Sequence, residues 1–103
     1  MAADRPAALV TGSATGIGRA EALALASAGY DVVVNFSRSE DAARETAKLC
    51  ENGGARTLVV GCDVADNDAV EAMVDQTTAT FGRLDVLCNN AGITSKTGFN
   101  DFE

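Results

Sequence analysis

Residues 11–18 read Thr-Gly-Ser-Ala-Thr-Gly-Ile-Gly and follow the short apolar run Ala7-Ala8-Leu9-Val10. Three glycines at the spacing G-x-x-x-G-x-G (Gly12, Gly16, Gly18), entered from an apolar strand and left into an Ala- and Leu-rich segment, restrict the fold more than any other feature of the chain. Gly12 allows a tight turn after the strand, Gly16 lets another group approach the backbone, and Gly18 lets the helix pack close to the sheet. Ser13, Thr15 and Ile17 fill the gaps with small or apolar side chains. A strand that turns through such a loop into a helix aims backbone N–H groups at one place, which is the geometry of a pyrophosphate cradle. A nucleoside-triphosphate loop is excluded, because Gly18 is followed by Arg19-Ala20 and not by Lys-Ser/Thr.

The rest of the chain alternates strand and helix. Residues 17–28 read as a helix stopped by Gly29 in the left-handed region. Residues 31–36 form a strand whose β-branched run suits burial on both faces. Ser37-Arg38-Ser39-Glu40 has the form of a capping box. The helix it opens carries Ala43, Thr46, Ala47 and Cys50 on one face and ends at Gly53-Gly54. A third strand covers 57–61, and Asp66 or Asn67 caps a helix with Val70, Met73, Val74, Thr77 and Phe81 at helical spacing. Gly82 ends that helix, 84–88 is a fourth strand, and Asn89-Asn90-Ala91-Gly92 follows.

Four strands joined by three helices predict an α/β fold, a doubly wound parallel sheet of Rossmann type in the order 3-2-1-4, with a crevice between strands 1 and 4. A complete sheet of this type continues past the fourth strand, so that strand is expected to be an open edge carrying apolar side chains. Residues 1–103 accordingly read as the N-terminal dinucleotide-binding portion of a single domain.

Fifteen acidic against eight basic residues give a formal charge of −7, which argues against a nucleic-acid partner. No apolar run reaches membrane-spanning length and the start lacks a signal-type apolar segment, so a cytoplasmic protein without a membrane partner is expected. Cys50, Cys62 and Cys88 form no C-x-x-C pair and read as small buried hydrophobes. Histidine is absent, which leaves no metal site to assign and no histidine-based triad.

Taken together, Thr11 to Gly18, Asp63-Val64 and Asn89-Asn90-Ala91-Gly92, each at the carboxyl end of a predicted strand, resemble the short-chain dehydrogenase/reductase family over about residues 7–92. Within it the chain is most similar to the bacterial 3-oxoacyl-carrier-protein reductases and the glucose dehydrogenases. The resemblance implies that Asp63 hydrogen-bonds an adenine edge and that Val64 packs against the ring. It also implies that Asn89 ties the fourth strand to its neighbours while Asn90, Ala91 and Gly92 pass beside the adenosine ribose.

Cofactor choice turns on the end of the second strand, where NAD-selective enzymes place a carboxylate. Phe36 stands there, twenty residues after Gly16, followed by Ser37 and Arg38, a hydroxyl and a guanidinium suited to phosphate. NADP is therefore favoured, with NAD left open because Ser37 doubles as a helix cap and Thr15 stands where many NADP-preferring relatives carry a basic residue.

The same resemblance implies hydride transfer between a nicotinamide dinucleotide and a small carbonyl or alcohol substrate, a 3-oxoacyl thioester or a sugar-like molecule. A Tyr-x-x-x-Lys pair, a serine and an asparagine run that chemistry in the family. The single tyrosine, Tyr30, has Val34 four places on, and Lys48 and Lys96 are distant in sequence, so no catalytic residue is assigned within 1–103 and the segment alone is expected to be inactive. Relatives are usually homotetramers, through elements beyond this segment. The alternative is a natural short, non-catalytic nucleotide-binding or interaction module. Against it, residues 97–103 read like the entry to another helix.

Overall fold

The computed structural model describes residues 5–90. The elements are β1 (Ala7–Thr11), α1 (Gly16–Ser27), β2 (Asp31–Phe36), α2 (Glu40–Asn52), β3 (Thr57–Gly61), α3 (Asn67–Phe81) and β4 (Val86–Asn89). All strand pairs are parallel and the order is β3-β2-β1-β4, as the alternating pattern and the right-handed crossover rule predict.

The continuous apolar strands are explained by helices on both faces. Val10, Val32 and Val34 pack with Ala22, Ala26, Ala43, Ala47 and Cys50 from α1 and α2. Ala7, Leu9 and Val33 point the other way, against Met73 and Phe81 of α3. The predicted stripe on α2 (Ala43, Thr46, Ala47, Cys50) is buried throughout. On α3, Met73, Thr77 and Phe81 are buried. β4 pairs with β1 on one side, with Leu87 level with Leu9 yet 53% exposed, the apolar edge anticipated for the fourth strand.

Element ends follow local chemistry, with two corrections, one to a helix start and one to a strand start. Asp66 caps α3 by accepting from the Asp68 and Ala69 N–H groups, Gly82 closes it at φ 84°, and Gly29 follows α1 at φ 101°. The capping box at Ser37 does not form. α2 starts at Glu40 with Ser39 as its N-cap and no side-chain cap bond. Glu40 and Asp41 supply negative charge to its first turn instead, and Arg44 pairs with Glu40 one turn on. Ser37 and Arg38 thus belong to the loop after β2. The fourth strand also begins two residues later than predicted. Leu84 packs into the α3-side core, and the Asp85 carboxylate accepts from the Ala7 N–H at 2.9 Å.

Candidate active site: a glycine loop at the strand-order switch

The sheet reverses its order at β1, so the carboxyl ends of β1 and β4 flank a crevice where open α/β sheets bind ligands. The glycine loop leads directly from β1 into α1. Gly12 and Gly16 both adopt φ 62°, the left-handed region that favours glycine. At Gly16 a Cβ would meet nothing within 4 Å, so this stretch of backbone is open to an approaching group. Gly18 is different. Its Cβ would lie 2.1 Å from the Gly12 carbonyl oxygen, so the close approach this glycine permits is to the loop backbone and not to the sheet.

The first turn of α1 is chemically unlike those of the other helices. Its N-cap, Thr15, makes no side-chain cap bond, as Ser39 of α2 makes none, but here no acidic residue stands in the turn. α2 and α3 carry Glu40, Asp41 and Asp68 there. The N-terminal N–H groups and positive dipole end of α1 are therefore left for an anion. Ile17, in the same turn, is 74% exposed. Arg19 does not offer its charge to this site. Its Nε donates to Ala14 O and Thr46 Oγ1 at 3.1 and 2.8 Å, and its Nη2 donates to Ala42 O.

Ser13 is fully buried and its hydroxyl is committed inward, donating to Val10 O at 2.7 Å and accepting from the Asn35 N–H at 3.0 Å. Of the predicted loop residues it is the one whose side chain turns away from the crevice. Thr15, with Gly12 and Ala14, lines a cleft of about 240 Å³ that Phe36, Ser37, Arg38 and Ser39 close from the β2 side. A larger groove, about 410 Å³, lies between α2 and β3 beside Arg44, Lys48 and Glu51. It sits away from the glycine loop and from the ends of β1 and β4.

Asp63 follows β3 in a tight turn, with Oδ1 accepting from Ala65 N–H at 2.9 Å. Val64 beside it is half-buried. Thr11 joins β1 to the end of β4: its hydroxyl donates to Asn89 Oδ1 at 3.1 Å and accepts from Asn90 N–H at 2.8 Å. The Asn90 carboxamide donates to Thr11 O and to Glu21 of α1 at 3.2 and 2.6 Å. Asn89 therefore ties β4 to β1, and Asn90 ties the end of β4 to both β1 and α1. Ala91 and Gly92 lie outside the described residues.

Sequence reading passed over Asn35, Glu21 and Arg19. Asn35 carried a signal, a buried-strand amide directly after three valines, where an unsatisfied polar group is costly. Glu21 and Arg19 carried none, since their partners come from distant segments.

Burial, with Asp63 and Asp66 nearby, pushes the Cys62 thiol above its ordinary range, and burial with Glu21 nearby does the same to Cys88. Cys50 is buried and raised likewise, so these thiols are kept protonated and are poor nucleophiles. At the opposite end of the sheet, buried Asp31 accepts from Arg5 Nε at 2.9 Å and from Arg56 Nη2 at 2.6 Å. Burial raises its pKa, but the Arg56 and Arg5 contacts outweigh that and hold it below the usual carboxylate value.

The short chain dehydrogenase family model matches residues 6–103. A short-chain dehydrogenase/reductase homolog of Bacillus subtilis is 41% identical over 96 residues, spanning 93% of this chain and 88% of that protein. The 3-oxoacyl-(acyl-carrier-protein) reductase of Staphylococcus aureus is 46% identical over 87 residues, 84% of this chain but 35% of the reductase. The chain thus spans about a third of that relative's length. Among solved structures, a short chain dehydrogenase from Burkholderia cenocepacia in complex with NADP superposes with a TM-score of 0.82 at 40% identity, over 93% of this chain and 39% of that one. An acetoin dehydrogenase from Enterobacter cloacae superposes with a TM-score of 0.79 at 36% identity, over 95% of this chain and 41% of that one. A glycine loop on an uncapped helix, a parallel sheet in the order 3-2-1-4 and a family match across nearly the whole chain agree: this protein belongs to the short-chain dehydrogenase family.

Proposed function

We propose that the chain is the cofactor-binding portion of an NADP(H)-dependent oxidoreductase acting on a small carbonyl or alcohol substrate, a 3-oxoacyl thioester or a sugar-like molecule. One observation carries the reading: the uncapped, acid-free start of α1 meets the open backbone at Gly16, and Arg38 lines the same cleft without a carboxylate partner among the described residues. The N–H groups of Gly16, Ile17 and Gly18 would hold the pyrophosphate, with Gly12 and Thr15 shaping the loop. Ser37 and Arg38 would take the adenosine 2′-phosphate, a role left to them because the helix cap falls at Ser39. Asp63 and Val64 would border the adenine, and Asn90, Ala91 and Gly92 the ribose. The cofactor, when bound, supplies the hydride acceptor or donor. This chain's part is to bind and orient it, and the proton-transferring residues would come from outside 1–103. A homo-oligomer built from elements beyond this segment completes the proposal.

The test is titration of the protein with NADPH and with NADH, followed by nicotinamide fluorescence. Saturation by NADPH at lower concentration than NADH is expected, and binding of neither would sink the reading. The Bacillus subtilis relative, matched over 88% of its own length, favours a second reading, a short dinucleotide-binding module without catalysis. NADPH binding with no oxidation of NADPH by a 3-oxobutanoyl thioester in the protein carrying this segment would support it.

A further inference from the structure

Asn35 follows three valines in β2 and is 1% exposed. A buried primary amide is tolerated only when its donors and acceptor are met. Here they are met by two other segments. Oδ1 accepts from the Gly12 N–H at 3.0 Å, the first turn of the glycine loop. Nδ2 donates to Val60 O at 3.2 Å and reaches Cys62 O at 3.4 Å, at the end of β3 and the start of the turn that carries Asp63. The backbone of Asn35 holds the loop a second time, through Ser13 N–H to Asn35 O and Asn35 N–H to Ser13 Oγ, both 3.0 Å.

We propose that Asn35 is a positioning residue, whose carboxamide clamps the Gly12 end of the glycine loop to the Cys62–Asp63 turn that follows β3 and so presets the separation of these two arms of the proposed dinucleotide site. The inference rests on the dinucleotide reading above. A ligand spanning both arms gains from each only if their spacing is set before it arrives, since ordering them on binding would cost affinity. A fragment touching one arm gains nothing from the clamp. The amide suits this task because it accepts on one side and donates on the other. A carboxylate of the same shape could still accept from Gly12 N–H, but it would face the Val60 and Cys62 carbonyls with no proton to give.

Asn35→Asp tests this, with Met73→Ala, a core change on the far face of the sheet, as the control for lost stability. Dissociation constants for NADPH and for adenosine 2′-monophosphate are measured where circular dichroism shows each variant folded. Asn35→Asp is expected to weaken NADPH at least tenfold and adenosine 2′-monophosphate by less than threefold. Met73→Ala should leave both within twofold despite its lower Tm. NADPH affinity within twofold of wild type in Asn35→Asp overturns the clamp, and so does an equal loss for both ligands. If Asn35→Asp does not fold, hydrogen exchange of the Gly12 amide in the wild-type protein decides: protection without ligand upholds the bond to Asn35, and exchange at an unprotected rate overturns it. A wild-type protein that binds neither NADPH nor NADH removes the dinucleotide reading itself, an outcome distinct from any change confined to the variant.

Discussion

Gly18→Ala is the substitution in which helix propensity and packing disagree most. In an ordinary helix interior the change stabilises by about 1 kcal/mol. At Gly18 the added methyl would stand 2.1 Å from Gly12 O, 2.8 Å from Gly12 C and 2.9 Å from Ser13 Cα, all backbone atoms that no rotamer change can move aside. Retreat of Gly12 O to 3.0 Å, the closest a real Cβ tolerates, requires a displacement of nearly 1 Å. That displacement would strain the Gly12 and Ser13 bonds to Asn35, each 3.0 Å long. Overpacking of this kind costs about 1–3 kcal/mol, and a lost hydrogen bond about 1 kcal/mol more. Offset by the helix gain, the net loss is about 2 kcal/mol, or roughly 10 °C in Tm for a domain of this size. Gly29→Ala is the comparison. It adds left-handed strain at φ 101° but meets no atom within 4 Å, so about 1–2 kcal/mol of stability is lost with no loop displaced. Thermal unfolding and NADPH titration of the two variants should separate them: Gly18→Ala loses both stability and at least tenfold in affinity, Gly29→Ala only stability. A Gly18→Ala protein as stable as wild type would refute the close-packing argument.

Arg38→Ala should weaken NADPH about tenfold or more, the worth of one charge-assisted hydrogen bond, while NADH changes less than twofold; equal losses would leave Arg38 a surface residue. Asp31 has a lowered folded pKa, so its contribution is present above the unfolded carboxylate value and is lost as pH falls through the folded one. Urea unfolding should therefore show wild-type stability declining below about pH 4, and Asp31→Asn should be less stable at neutral pH with a flatter profile there. An unchanged slope would contradict the Arg5–Asp31–Arg56 assignment. Asp66→Ala should cost about 1 kcal/mol through loss of the α3 cap, read as a lower urea midpoint at constant m-value.

Much of the fold was legible because its signals are local. Glycine spacing, β-branched runs and the helical stripes of α2 and α3 each lie within one element, and the handedness of parallel crossovers then leaves few ways to order four strands. Ends were less legible. The Ser37-Arg38-Ser39-Glu40 pattern suits a capping box, yet the path of the chain leaving β2 starts α2 at Glu40, with Ser39 as an N-cap that makes no side-chain cap bond.

Within the site, the sequence by itself determined where backbone could turn and which side chains lay near the crevice, since Gly12 and Gly16 are set by a conformation that other residues rarely adopt and Gly18 by a backbone approach too close for any Cβ. Tertiary structure decided what each polar group does there. Ser13 turns inward, Arg19 is spent on Ala14 and Thr46 while Arg38 lines the cleft, and Asn35 joins segments more than twenty residues apart. Those roles depend on strand register and helix packing, because a buried hydrogen bond needs its partner within about 3 Å, and no local pattern records which distant residue arrives there.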